Sequence, residues 1–148
     1  MEKVLVINGP NLNMLGTRDP KVYGSESLAD VEKLMSKAAF DLKVEIEFFQ
    51  SNHEGEIVDR IHAAFKNIDG IVINPGAFTH YSYALMDAMG AVSIPFVEIH
   101  ISNIHAREEF RHKSVLAALA IGQIAGLGIY GYELALRGLI NRLRAVAR

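Results

Sequence analysis

Short apolar runs that alternate with helix-like stretches restrict the fold of this chain more than any other feature. Four runs, several rich in β-branched residues, are typical of strands; they lie at residues 3–8, 43–50, 70–74 and 94–101. The stretch 28–42 instead carries apolar residues at helical spacing and follows Ser27, a candidate N-cap. This alternation predicts an α/β fold around a parallel sheet.

A weaker fifth strand at 119–124 and a closing helix at 134–146 complete the pattern. Five strand–helix units predict a flavodoxin-like, doubly wound five-stranded parallel sheet with strand order 2-1-3-4-5. The run 43–50 begins by alternating polar and apolar residues, which suits an edge strand. Because the 148 residues contain no linker or repeat, we expect a single domain over 1–148.

Local signals place three further boundaries. Ser51 with Glu54 fits a capping box at the start of the second helix. A short helix is predicted over 81–89, ended by Gly90. The charged segment 106–114 predicts the start of another short helix.

Composition excludes several classes of protein. Half of the residues are hydrophobic and the mean hydropathy is +0.16, but no apolar stretch reaches the roughly 20 residues of a membrane span. The N-terminus lacks a signal-peptide pattern, so we expect a cytoplasmic protein with no membrane partner. A net charge of −2 gives no support for nucleic-acid binding. The absence of cysteine excludes disulfides and thiolate chemistry.

Two motifs suggest ligands that their context does not support. The sequence 126–131 (GLGIYG) matches the dinucleotide-binding pattern, but that pattern opens the first strand–helix unit of a fold, whereas here no further strand follows. Close packing of the last strand on the last helix explains it better. The six histidines show no metal-ligand spacing, so we predict no metal.

Polar side chains follow three of the predicted strands, at the edge where such sheets bind ligands. Asn8 ends the first strand and Asn74 the third, although loop geometry alone explains an Asn equally well. Glu98 and His100 share one face of the fourth strand. A carboxylate that orients an imidazole is an acid–base arrangement, so we expect this pair to be catalytic.

Two further segments carry candidate residues. The stretch 16–24 has a glycine at each end, which suits a lid, and it carries Arg18 and Tyr23. Nearby arginines would favour the tyrosinate form of Tyr23 and make it a base. Farther on, Ser102, a helix N-terminus and Arg111 would together bind a carboxylate. For Arg107, a surface ion pair with Glu108 is an equally good interpretation.

These residues together resemble the type II 3-dehydroquinate dehydratases, and the resemblance covers nearly the whole chain. Its motifs occur in order: NGPNLN at 8–13, R-x-P-x-x-Y-G at 18–24, QSN at 50–52, NPGAFTH at 74–80, EIHISN at 98–103, HAREEFR at 105–111, and GLG with GY at 126–132. Residues 115–118 (VLAA) depart from the Ser-Pro-containing stretch of the family, which concerns only local packing.

The resemblance implies a single catalytic domain that eliminates water from 3-dehydroquinate in the shikimate pathway, anti and through an enolate. Tyr23 would be the base, and Arg18 with Arg107 would favour its ionised form. Asn11 would help to hold the water that stabilises the enolate. His100, oriented by Glu98, would protonate the leaving hydroxyl.

The resemblance also implies how substrate binds. Asn74, His80 and Arg111 would hold its polar groups, and the backbone of Ile101 and Ser102, with the Ser102 hydroxyl, its carboxylate. Asp87 would act across a subunit contact in a homododecamer built as a tetramer of trimers. No cofactor and no metal would be required. Asn11, His80 and Asp87 rest on the resemblance alone.

A non-catalytic flavodoxin-like module is the competing class. A receiver domain carries a cluster of acids at the end of its first strand, where this chain has NGP at 8–10. A flavin site would place a phosphate-binding loop rich in Ser, Thr and Gly there, which is also missing.

Overall fold

A five-stranded parallel sheet forms the centre of the fold. In the computed structural model, which describes residues 1–17, 21 and 25–147, neighbouring strands run in the order β2-β1-β3-β4-β5, and every pairing is parallel. The strands are β1 (Lys3–Asn8), β2 (Glu45–Gln50), β3 (Gly70–Asn74), β4 (Phe96–His100) and β5 (Gly122–Ala125). This confirms the fold class and the strand order predicted from the sequence.

Four helices cover the two faces of the sheet. They are α1 (Leu28–Leu42), α2 (Glu54–Ala64), α3 (Tyr83–Val92) and α4 (Tyr130–Val146). Helices α1 and α4 share one hydrophobic cluster, and α2 and α3 share the other. Each face is therefore covered by one pair of helices.

The central strand β1 contributes to both clusters because successive side chains of a strand point to opposite faces. Val4 and Val6 belong to the α1–α4 side, and Leu5 and Ile7 to the α2–α3 side. All four are completely buried. Burial of each such side chain stabilises the fold by about 1.5–3 kcal/mol, which is why a continuous apolar run marks a central strand.

A capping box begins α1, as the sequence predicts for Ser27. The Ser27 hydroxyl accepts from the Asp30 N–H at 3.2 Å, and the Asp30 carboxylate accepts from the Ser27 N–H at 2.9 Å. Hydrogen bonds from Ser27 hold the pKa of Asp30 below its usual value. At the other end of α1, Lys43 adopts a left-handed φ of 59°, so β2 begins at Glu45, later than predicted.

The capping box predicted for Ser51 and Glu54 is wrong. His53 occupies the N-cap position of α2, and its side chain makes no cap hydrogen bond. The Ser51 hydroxyl instead accepts from the His53 N–H at 2.9 Å and donates to Glu56 at 2.5 Å. The chain turns one residue before the helix begins, so Ser51 stabilises the turn and not the first helical N–H groups.

Helix α3 is displaced from its predicted range. It begins at Tyr83, because the Ser82 hydroxyl accepts from the Leu85 N–H at 3.1 Å and is the true N-cap. It continues through Gly90 and ends before Ser93, which takes the left-handed conformation with φ 53°. Gly90 was therefore wrongly taken as the end, since a glycine inside a helix is tolerated.

The charged segment 106–114 does not form the predicted helix. Two single 3-10 turns occupy this region, Ile104–Ala106 and Glu109–Arg111, with extended backbone at Arg107 between them. Arg107 and Arg111 therefore share no helix face, and no α-helix N-terminus is present there. Farther on, β5 lies slightly later than predicted and α4 begins at Tyr130 rather than 134. Among the described residues, no helix combines the length and the hydrophobicity that crossing a membrane needs.

Candidate active site

A cavity of about 140 Å³ lies at the carboxyl ends of β1, β3 and β4. Parallel sheets bind ligands at this edge, where loops diverge between neighbouring strands. The residues that line it come from the loops after the three strands: Pro10, Asn11, Leu12, Asn74, Gly76, Ala77, His80, His100, Ile101, Ser102, Ile104, Arg107 and Arg111.

The loop after β1 is held against the loop after β3. A Cβ atom at Gly9 would lie 2.5 Å from the Pro75 carbonyl oxygen, so only glycine fits at this crossing. Asn11 follows with a left-handed φ of 70°. Its N–H donates to the Asn52 side-chain oxygen at 2.9 Å, which also accepts from Gln50 at 3.2 Å. The end of β2 thus places Asn11 on the cavity wall.

A buried tyrosine connects the ends of β1 and β3. The Tyr132 hydroxyl donates to the Asn8 side-chain oxygen at 2.6 Å and accepts from the Asn74 amide at 2.8 Å. The Asn74 oxygen accepts from the Gly76 N–H at 3.1 Å, so both ends of this amide are fixed. Burial raises the pKa of Tyr132, which is therefore a neutral phenol. One N–H of Asn74 remains for a ligand.

Glu98 and His100 form the acid–base pair that the sequence predicts. Both are buried on the same face of β4, and the His100 Nε2 is hydrogen-bonded to the Glu98 carboxylate. Burial alone would raise the pKa of Glu98. Hydrogen bonds and charge from His100, with hydrogen bonds from Ser114 and Thr79, outweigh burial and hold that pKa below its usual value. Glu98 is therefore a carboxylate.

His80 faces His100 across the cavity wall. The two rings are stacked with centroids 6.4 Å apart. The His80 Nδ1 lies 2.8 Å from the Lys113 carbonyl oxygen, so this nitrogen carries the proton and donates it. Burial lowers the pKa of His80, and the nearby charges of His100 and Arg111 act in the same direction. His80 is therefore neutral near pH 7, with Nε2 as an acceptor.

The cavity is lined by cations. Arg107 and Arg111 both reach it, and none of the described residues that line it is an acid. Arg111 donates to Glu108 at 3.1 Å and lies 4.8 Å from the centre of the Phe110 ring, which fixes its guanidinium. Arg107 lies 3.9 Å from Glu108, so the surface ion pair and the position at the cavity coexist. Such a cavity suits an anionic ligand.

The structure brings together most of the predicted site residues. Those that line the cavity are Asn11, Asn74, His80, His100, Ile101, Ser102, Arg107 and Arg111. Glu98 lies behind His100, while Asp87 is exposed on α3 and does not line the cavity of its own chain. Arg18 and Tyr23 lie outside the described residues.

Sequence reasoning missed the residues that hold the site in place. Thr79, Ser114 and Gln123 all donate to Glu98, and Tyr132 holds Asn74. Gln123 could have been found, because strand order 2-1-3-4-5 puts a polar residue of β5 beside β4. Tyr132 gave no local signal, since its partner Asn8 is 124 residues away.

Neither misleading motif forms a ligand site in the described part of the chain. A Cβ at Gly131 would lie 2.6 Å from the Ile99 side chain, so this glycine lets α4 pack against β4. That confirms the packing interpretation of 126–131. Among residues 1–17, 21 and 25–147, no group of three or more His, Asp or Glu side chains is placed to hold a metal ion.

Comparison with known proteins places the chain in a family. Residues 2–140 match the family described as Dehydroquinase class II. Curated relatives named 3-dehydroquinate dehydratase include one from Caldicellulosiruptor bescii, 64% identical over 94% of this chain and 97% of its own. Another, from Endomicrobium trichonymphae, is 61% identical over 95% of this chain and 99% of its own.

Solved structures agree with the sequence relatives. The type II dehydroquinase from Butyrivibrio crossotus superimposes with a TM-score of 0.92 at 50% identity, covering 94% of this chain and 97% of that one. The type II dehydroquinase from Propionibacterium acnes gives a TM-score of 0.91 at 43% identity, covering 95% of this chain and 97% of that one. With its fold, its cavity and its sequence in agreement, this chain belongs to the class II dehydroquinase family.

Proposed function

We propose that this chain is a 3-dehydroquinate dehydratase, a lyase that converts 3-dehydroquinate to 3-dehydroshikimate and water in the shikimate pathway. The observation that carries the proposal is the cation-lined cavity at the carboxyl ends of the strands, with His100 on its wall and the buried Glu98 behind it. The curated relatives that carry this name cover nearly the whole chain, which supports the same reaction.

The proposed reaction is an anti elimination through an enolate. Tyr23, as tyrosinate, removes a proton from the carbon next to the ketone, and the electron pair of that bond moves onto the ketone oxygen. Arg18 and Arg107 favour the ionised form of Tyr23. Asn11, on the cavity wall, helps to hold a water molecule against the enolate oxygen.

The second half of the reaction expels water. The enolate electrons form the new carbon–carbon double bond, and the neighbouring carbon–oxygen bond breaks. His100 gives a proton to the departing hydroxyl, which leaves as water. Because Nε2 of His100 is bound to Glu98, Nδ1 is the nitrogen that delivers this proton.

Substrate binding uses the rest of the wall. The backbone of Ile101 and Ser102, with the Ser102 hydroxyl, holds the carboxylate, and Arg111 adds a cation. Neutral His80 offers an acceptor to a substrate hydroxyl, while Asn74 offers its remaining N–H. The orientations of both are fixed before substrate arrives, which lowers the entropy lost on binding.

The assembly proposed for this chain is a homododecamer, a tetramer of trimers, in which Asp87 completes the site of a neighbouring subunit. Asp87 is exposed on α3, away from the cavity of its own chain. Large apolar side chains are also exposed, among them Phe40 at 84% and Tyr83 at 63%. Sedimentation of a fully active species at the monomer mass would contradict this assembly.

An absorbance assay tests the activity. Purified protein is mixed with 3-dehydroquinate, and the conjugated enone product is followed by its ultraviolet absorbance. We expect turnover without any added cofactor. A chain that releases no enone at any enzyme concentration would overturn the proposed function.

A further inference from the structure

Glu98 is surrounded by hydrogen-bond donors from three other segments of the chain. Thr79 donates its hydroxyl to Oε2 at 2.6 Å, and Gln123 donates its amide to the same oxygen at 3.0 Å. Ser114 donates its hydroxyl to Oε1 at 2.6 Å. With His100, four donors therefore meet one completely buried carboxyl group.

The contacts of Ser114 fix the direction of these bonds. Its hydroxyl oxygen accepts from the N–H groups of Leu116 at 3.1 Å and Ala117 at 3.0 Å, which occupies both lone pairs. The Ser114 proton therefore goes to Glu98. Although the Thr79 and Ser114 oxygens are 2.9 Å apart, Ser114 has no lone pair left, so the Thr79 proton also goes to Glu98.

Four donors match what an ionised carboxylate can accept, because its two oxygens offer about four acceptor positions. A neutral carboxyl group would bring its own proton into a ring of donors. The arrangement therefore suits only the charged form of Glu98. That charge in turn keeps His100 in place and favours positive charge on its ring.

Gln123 is the unusual member of this group. It stands opposite Glu98 in the pairing of β4 with β5, so the two side chains share a face of the sheet. Its strand is at the edge of the sheet and Gln123 itself is exposed, yet its amide turns inward to a buried acid. Core packing does not require a glutamine here, whereas the Glu98 charge gains a donor from it.

We propose that Thr79 and Gln123 are positioning residues of the acid–base pair, which hold the Glu98 carboxylate in the orientation that binds His100. Neither lines the cavity, so both act through Glu98. The inference rests on the proposed function, in which His100 is the acid.

Matched substitutions separate the lost hydrogen bond from lost packing. Thr79→Val removes the hydroxyl and keeps the shape of the side chain, whereas Thr79→Ser keeps the hydroxyl. Gln123→Met removes the amide donor at an exposed edge, where folding is not at risk. Ile121→Met, close by on the chain, introduces the same side chain at a position that has no donor to lose.

The readout is the pH profile of kcat/KM. Other titratable groups face the pair, namely His100 itself, His80 and, through its charge on His80, Arg111. They are the same in every variant, so a difference between matched variants belongs to Glu98. Loss of one hydrogen bond to a charged group favours protonation of Glu98. We expect the acid limb to move up by about one to two pH units in Thr79→Val and Gln123→Met.

The controls are expected to keep the wild-type profile. Identical profiles for Thr79→Val and Thr79→Ser, together with identical profiles for Gln123→Met and Ile121→Met, would overturn the positioning role.

A second measurement does not depend on turnover. The ring nitrogen and proton resonances of His100 are followed by NMR against pH without substrate, and we expect both donor-free variants to shift the titration relative to their controls. If the wild type gave no enone, the proposed function would fail, while this titration would still support or contradict the positioning of Glu98.

Discussion

The rings of His80 and His100 are stacked at 18° to each other, with centroids 6.4 Å apart, yet only one of them has a carboxylate partner. Glu98 binds His100, whereas His80 donates to the Lys113 carbonyl oxygen. Two positive charges at this distance would repel, and burial already lowers the pKa of His80. The positive charge therefore belongs on His100, and His80 serves as a neutral hydrogen-bonding group.

This division of roles predicts different kinetics for the two histidines. His100→Ala is expected to lower kcat by about two to four orders of magnitude, because a general acid is lost. His80→Asn is the control and is expected to raise KM more than it lowers kcat. Initial rates of enone formation measure both. A loss of less than tenfold in His100→Ala would leave it only a positioning role.

Tyr23→Phe tests the proposed base. The substitution removes one oxygen, so we expect turnover to disappear while substrate binding remains largely intact. Calorimetric titration with 3-dehydroquinate measures the binding, and the enone assay measures turnover. Normal turnover by this variant would show that Tyr23 is not the base.

Much of this fold could be predicted because its strands are central and buried. Alternate residues of β1 face two different cores, so every position is apolar and the run is unmistakable. The weakest strand prediction was β5, an edge strand whose four residues are all exposed or half-buried. There, burial imposes no pattern that the sequence could display.

The site was predictable where chemistry and position coincide, as in the buried pair Glu98 and His100. The helix predicted over 106–114 was wrong because charged residues at helical spacing do not by themselves nucleate a helix. Arg107 and Arg111 reach the cavity from irregular backbone instead. The contacts of Tyr132 and Gln123 depend on tertiary packing, which no local pattern encodes.

Tyr132→Phe is expected to destabilise the protein by about 1–3 kcal/mol, because a buried acceptor on Asn8 and a buried donor on Asn74 both lose their partner. Loosening of Asn74 is also expected to raise KM. The matched control is Tyr130→Phe on the same helix, since Tyr130 is 53% exposed and its hydroxyl can bind water. Urea unfolding compares the two, and equal stability would contradict the role of Tyr132.

The ion pair between the two ends of the chain predicts a pH-dependent stability. Arg144 donates to both Glu2 oxygens, at 2.8 and 3.2 Å, and this hydrogen bonding lowers the pKa of Glu2 from 4.5 to about 2. Because the folded value is the lower one, the stabilisation is fully present above the unfolded pKa. It is lost as the pH falls towards about 2.

Glu2→Gln is therefore expected to lower the free energy of unfolding by about 0.5–1 kcal/mol near neutral pH, a modest effect because the pair is partly exposed to solvent. The difference from wild type should shrink between about pH 5 and pH 3, as Glu2 becomes protonated in the unfolded chain. Glu45→Gln is the control, since Glu45 lies 3.8 Å from Lys3 and both side chains are more than half exposed. Urea unfolding at several pH values measures each difference, and a Glu2→Gln effect that does not change with pH would mean that its charge is not the cause.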